Sequence, residues 1–133
     1  MKLTANQLRI GNLVIIDNPE YRPKDNGKLA IILAIKEDAA SVALENDMSI
    51  TFGQFYDFLK PIPLTEEWLL RMGAISNPYQ DRYELGDLRL ECDKTKGETT
   101  IWCEKYTHIK FVHQVQNYIY ATTGEELTIK ELQ

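Results

Sequence analysis

The residues best suited to chemistry are few. Two cysteines and two histidines occur, and Cys103, His108 and His113 stand as C-x4-H-x4-H. Zinc favours donors that share a face, and two histidines five apart on a helix are rotated by about 140°. Cys103 is also expected to point into a sheet face, so the spacing reads as non-ligating and no metal or cofactor is implied. A thiol nucleophile would pair Cys92 or Cys103 with a histidine. Such a thiol needs an exposed, electropositive setting, and Glu91 and Glu104 stand beside these two. Seven glycines are scattered singly, with no phosphate-cradling loop among them. The acidic pairs Glu37-Asp38, Glu66-Glu67 and Glu125-Glu126 read as solvated or as helix-dipole partners. No residue is assigned a catalytic role.

Two constellations remain. On a helix expected over 109–122, the residues Phe111, Val112, Val115, Tyr118, Ile119 and Thr122 form one apolar stripe. His113, Asn117 and Tyr120 then fall opposite it, with Gln116 on the flank. Together they would make an uncharged hydrogen-bonding face suited to an interface. The second constellation is FGQFYDF at 52–58, with four aromatics in seven residues. It could serve as a sticky groove or a base-stacking platform, but the favoured reading is a structural seam between two halves of the chain.

The elements that must position these groups follow from pattern. Thr4 can cap a short helical turn over 5–8. Gly11-Asn12 admits a strand at 13–16, and DNPEYRPKDNG at 17–27 has the composition of a loop. Apolar runs at 28–36, 39–44 and 48–52, broken by Glu37-Asp38 and Glu45-Asn46-Asp47, read as strands. Pro61 and Pro63 separate these from a second section. There, Thr65 is an N-cap for a two-turn helix whose apolar face is Trp68, Leu69 and Met72, ended by Gly73. After a strand near 83–85, Leu88, Leu90 and Cys92 alternate with Arg89 and Glu91, as in a half-buried strand.

A turn over DKTKGE at 93–98, pairing Asp93 with Glu98, would return the chain through Thr99, Ile101 and Cys103 on the same face. Cys92 and Cys103 would then sit four positions apart, roughly 13 Å at ~3.3 Å per residue. A disulfide needs Cα atoms within about 7 Å, so both read as buried reduced thiols. Trp102 falls on the opposite face, where a helix is expected to cover it. A last short strand is expected at 127–132.

These elements give an α+β chain. Residues 1–60 would form a small curled antiparallel sheet or SH3-like barrel, packed on an α–ββ–α section at 61–133 that shares its core, as two sections or one domain. The chain has 133 residues and a formal charge of -5, with 44% hydrophobic and 26% charged residues. Residues 1–60 carry seven basic and eight acidic side chains, and 61–133 carry eight and twelve. That balance argues against nucleic acid as the partner. The longest apolar run, at 29–35, has seven residues, against roughly 20 for a membrane span. With no signal-peptide pattern at the start, a cytoplasmic protein is expected.

Three segments, LRIGNLV at 8–14, PIPLTEEWLLRMG at 61–73 and KFVHQVQNYIYATTGEEL at 110–127, together resemble a group of small proteins encoded by gut-type bacteria and their phages or other mobile elements. The third is the most specific. The chain departs at Met72-Gly73-Ala74, where the group has Phe-Gly-Phe, which shrinks an aromatic plug after the helix. The resemblance implies a bacterial or phage gene context and no mechanism.

The function expected from these readings is non-enzymatic binding of a macromolecule, a protein, through His113, Gln116, Asn117 and Tyr120. One alternative is a small enzyme built from the 17–27 loop with His108 and His113, since loops of that length often carry sites. Another is a small nucleic-acid-binding barrel.

Overall fold

The computed structural model describes residues 1–93 and 100–130. It divides into two compact units, Met1–Ile62 and Pro63–Gln133. Both carry antiparallel sheets, and the chain is mixed α+β.

In the first unit a 3-10 turn over Ala5–Gln7 leads into β1 (Leu13–Ile16), β2 (Leu29–Ile35), β3 (Ala39–Leu44) and β4 (Asp47–Phe55). A second 3-10 turn, Tyr56–Phe58, delivers β5 (Leu59–Lys60). Every neighbouring pair is antiparallel, in the order β4-β3-β2-β1-β5, so β4 and β5 stand at the two ends of the sheet. Strand alternation explains the core. Ala30 and Ile32 on β2 share a face with Val42 and Leu44 on β3, and all four are fully buried with Val14 and Ile16 of β1. Burying a side chain such as Ile32 contributes about 1.5–3 kcal/mol. Leu3, Leu8, Tyr56 and Leu59 complete the cluster, and the Tyr56 hydroxyl donates to the Lys36 carbonyl at 2.5 Å.

The second unit begins with α1 (Glu66–Arg71). The Thr65 side chain accepts from the Trp68 backbone N–H, Glu66 and Glu67 occupy the first turn, and Gly73 turns the chain at φ 85°. That conformation carries little cost for glycine. Four strands follow as a meander, β6 (Ile75–Asn77), β7 (Arg82–Leu85), β8 (Leu88–Asp93) and β9 (Thr100–Trp102). The unit ends with α2 (Val112–Thr123), closed by Gly124 at φ 73°.

Several details differ from expectation. Sheet pairing sets Asp93 against Thr100 and Cys92 against Ile101, two residues away from the register expected for a turn at 93–98. The turn itself, at 94–99, lies outside the described residues. Cys92 and Cys103 are both buried and free. Trp102 pairs with Glu91 and is 39% exposed rather than covered. No strand occupies 127–130, and the remainder of that expected strand lies outside the described residues. Instead, Lys130 exchanges two hydrogen bonds with Arg71, its N–H donating to the Arg71 carbonyl and its carbonyl accepting from Arg71 Nε, each at 2.8 Å. Among the described residues no helix is long and apolar enough to cross a membrane.

Candidate functional site

The loop at 17–27 is a built structure with both ends tied down. Gly27 N–H donates to the Ile16 carbonyl at 2.8 Å and Ile16 N–H to the Lys28 carbonyl at 2.9 Å, closing its base. Gly27 holds φ 84°, the left-handed conformation that lets the chain enter β2. Inside the loop, Asn26 Oδ1 accepts from Asn18 N–H at 2.8 Å and Asn18 Oδ1 accepts from Tyr21 N–H at 3.1 Å. Such side-chain acceptors are why asparagines favour turns. Arg22 Nη1 lies 2.9 Å from Asp25 Oδ2.

One further bond fixes where this loop sits. Asp17 N–H donates to the Phe58 carbonyl at 2.8 Å, which brings the loop against the second 3-10 turn. Asn18 Nδ2 donates to Gln54 Oε1 at 3.3 Å, and Gln54 Nε2 donates to the Phe58 carbonyl at 3.2 Å. Both amides are buried, and buried polar groups need such partners.

Above this pair opens a cleft of about 810 Å³. Tyr21 and Arg22 line it from the loop, and Phe55 and Phe58 from the opposite side. The Tyr21 and Phe58 rings meet edge-on with centroids 6.1 Å apart, and Phe55 and Phe58 tilt together at 6.4 Å. Tyr21 is 70% exposed and Phe55 58%. The Arg22 guanidinium lies 3.4 Å from the centre of the Phe52 ring, a cation–π contact. Gly53 also lines the cleft, and a Cβ built there meets no atom within 4 Å. Its walls are aromatic and its polar groups are two amides, one guanidinium, the Tyr21 phenol and Asp57, a set suited to holding and orienting a ligand. Phe55, which the seam reading would bury, faces solvent.

The four residues of the expected interaction face on α2 differ in exposure. His113 is 0% exposed and Gln116 2%, while Asn117 is half-buried and Tyr120 exposed. The inward stripe of α2 runs through Val112, His113, Val115 and Gln116. At about 100° per residue this is turned by roughly 80° from the stripe read in the sequence. Tyr118 is the reason the hydropathy misled. Its hydroxyl donates to Asp87 at 3.0 Å and its ring lies 5.1 Å from Tyr106, so this phenol sits at the margin of the buried face. His113 stacks on Phe111 with centroids 6.1 Å apart, and among the described residues neither ring nitrogen has a hydrogen-bond partner. Burial lowers its pKa from 6.5 to about 4, because the charged imidazolium is the form that desolvation disfavours. His108 is exposed, with its ring edge-on to Tyr106 at 6.4 Å.

The second unit has a smaller cavity of about 420 Å³ beside β8. Arg82, Arg89 and Lys105 line it together with Asp87, Glu91 and Glu104, and Arg82 pairs with Glu91 at 3.2 Å. Three cations against three carboxylates leave no charge preference. On the far side of this sheet from Arg82, the Tyr83 hydroxyl donates to Glu66 of α1 at 2.5 Å. Burial, and then that bond, push the phenol up to about 12. Among the described residues no three His, Cys, Asp or Glu side chains gather closely enough to hold a metal ion.

Sequence reasoning singled out both halves of the aromatic cleft, the 17–27 loop and the 52–58 cluster, without joining them. The available signal was Tyr21, an aromatic inside a loop of otherwise polar composition. Set against protein-family models, curated proteins and solved structures, the chain matches none.

Proposed function

We propose that this chain is a non-enzymatic binding module that grips a partner protein in the aromatic cleft of its first unit. The observation that supports this reading is convergence. Two segments some thirty residues apart bring exposed aromatic side chains together over a hydrogen-bonded amide floor. A cluster of exposed aromatics, unlike a single one, marks an interaction surface, and aromatic anchors around a few fixed polar groups characterise binding pockets.

We read the first unit as an SH3-like arrangement. Four consecutive strands run as a meander, and a fifth returns beside the first after a 3-10 turn. Fold alone assigns no ligand; the cleft residues do. Nucleic acid is disfavoured because Arg22, the cation lining the cleft, already pairs with Asp25 and stacks on Phe52, leaving no basic track for a phosphate backbone. An enzyme centred on His113 is disfavoured because that side chain has no exposed surface. The resemblance of the three sequence segments sets the partner in a bacterial or phage context.

Selection of random twelve-residue peptides displayed on phage against the full chain tests the reading. Gly53→Val places a branched side chain in the cleft lining without removing any, and Tyr21→Ala with Phe55→Ala removes its walls. Enriched peptides are expected to bind the wild-type chain and to lose at least tenfold in affinity for both variants, each with an unchanged circular dichroism spectrum. An empty selection, or peptides indifferent to both variants, would overturn it.

A further inference from the structure

The cleft continues past Phe55 and Asp57 into a second depression of about 400 Å³, to which both residues also contribute. The character of the lining changes across that ridge. On one side stand the aromatic rings. On the other, Glu37 and Asp38, from the turn between β2 and β3, join Asp57, so that three carboxylates face one cation, Lys2, in that lining. Glu37 and Asp38 are exposed and make no ion pair among the described residues. Asp57 meets Lys2 at 3.1 Å, but both side chains are largely in water, 68% and 76% exposed. Such a pair contributes little and exchanges readily for another cation.

The floor adds a second kind of recognition. Asn18 and Gln54 are 3% and 5% exposed, and each amide nitrogen donates one hydrogen bond, to Gln54 Oε1 and to the Phe58 carbonyl. An amide nitrogen carries two hydrogens, so a donor remains on each residue lining the cleft. Main-chain carbonyls of an extended segment are the acceptors that such donors fit.

Resting on the proposal that this cleft binds protein, we infer that its occupant is an extended segment of a partner protein in which apolar side chains lie next to a lysine or arginine. The apolar residues pack among Tyr21, Phe55 and Phe58. The basic residue crosses the Phe55 ridge to Glu37, Asp38 and Asp57. Arg22, at the other end, is engaged by Asp25 and Phe52 and sets the polarity, since it would repel a cation placed there. The charge gradient thus orients the segment as well as attracting it.

The peptide selection, run in parallel on the full wild-type chain and on Glu37→Gln/Asp38→Asn, separates the two claims. The wild-type pool is expected to carry lysine or arginine at a fixed position beside apolar residues. The variant pool is expected to keep the apolar residues and lose the basic one. Synthetic peptides from the wild-type pool should bind the variant roughly fivefold more weakly, with a flatter salt dependence. A wild-type pool with no fixed basic residue, or basic peptides that bind both chains equally, overturns this inference and leaves the cleft reading standing. An empty pool, or binding indifferent to Gly53→Val, overturns both.

Discussion

Each unit buries polar side chains, and the two do so in opposite ways. In the first, Asn18 and Gln54 satisfy one another and the Phe58 carbonyl directly beneath an open cleft. In the second, His113 is sealed inside α2's inward face with both ring nitrogens unpaired among the described residues. A satisfied pair rigidifies whatever rests on it. An unpaired imidazole carries its desolvation cost with nothing in return. Buried polarity therefore marks a platform in one unit and a point of weakness in the other, and the platform carries Tyr21 and Phe55 exposed above it.

The largest expected effect tests the weak point. His113 has a pKa of about 4 in the fold against 6.5 when unperturbed. Between these values the unfolded chain takes up a proton that the folded chain refuses. Stability is therefore fully present above pH 6.5 and is lost as pH falls toward 4, by roughly 3 kcal/mol in total and about 2 kcal/mol by pH 5. Both tryptophans, Trp68 and Trp102, lie in the second unit, so urea unfolding followed by tryptophan fluorescence at pH 7 and pH 5 reads it directly. His113→Leu should abolish that loss and be at least as stable at pH 7. An equal acid loss in His113→Leu would show that the imidazole is satisfied or hydrated, and the contrast between the units would fall.

A smaller effect is expected at the platform. Gln54→Leu keeps the volume but removes the acceptor for Asn18 Nδ2 and the donor to the Phe58 carbonyl. The Asn18 amide then loses its buried acceptor, while the Phe58 carbonyl keeps the bond from Asp17 N–H, a cost of about 1–2 kcal/mol. Hydrogen exchange should place the loss in residues 17–27 and 54–58, with α2 protected as before. Loss spread evenly over the first unit would mean the pair is ordinary core and not a local support for the cleft.

How much of this was legible in the residues depends on range. The bounds of β3 at 39–44 are as read, because an apolar run between Glu37-Asp38 and Glu45-Asn46-Asp47 has only one way to end. Thr65 capping α1 is equally local. The short strands β5 and β6, of two and three residues, carry no pattern of their own and exist because neighbours pair with them. The phase of α2 was misread for a different reason. Tyrosine and histidine each fit either face, and only the Tyr118 bond to Asp87 and the enclosure of His113 decide between them. The cleft was invisible because its halves meet through contacts between distant residues, Asp17 to Phe58, Asn18 to Gln54 and Arg22 to Phe52, which no local pattern encodes.

The smallest expected effect is the sharpest test of whether the cleft is a site or merely unfinished packing. Tyr21 and Phe55 are mostly in water, and their ring contacts with Phe58 are edge-on or tilted at more than 6 Å. Aromatic pairs contribute about 0.5–1.5 kcal/mol when well packed, and solvent on the outer faces reduces that. Tyr21→Ala and Phe55→Ala should each change the stability of the first unit by no more than about 0.5 kcal/mol, as surface substitutions do, while each measurably weakens peptide binding. A loss above about 1.5 kcal/mol from either would make these rings part of the core, since exposed residues free of such duty do not destabilise when truncated. Aromatics that a fold can lose without weakening are free to serve a partner, and that independence from stability is what separates them from His113.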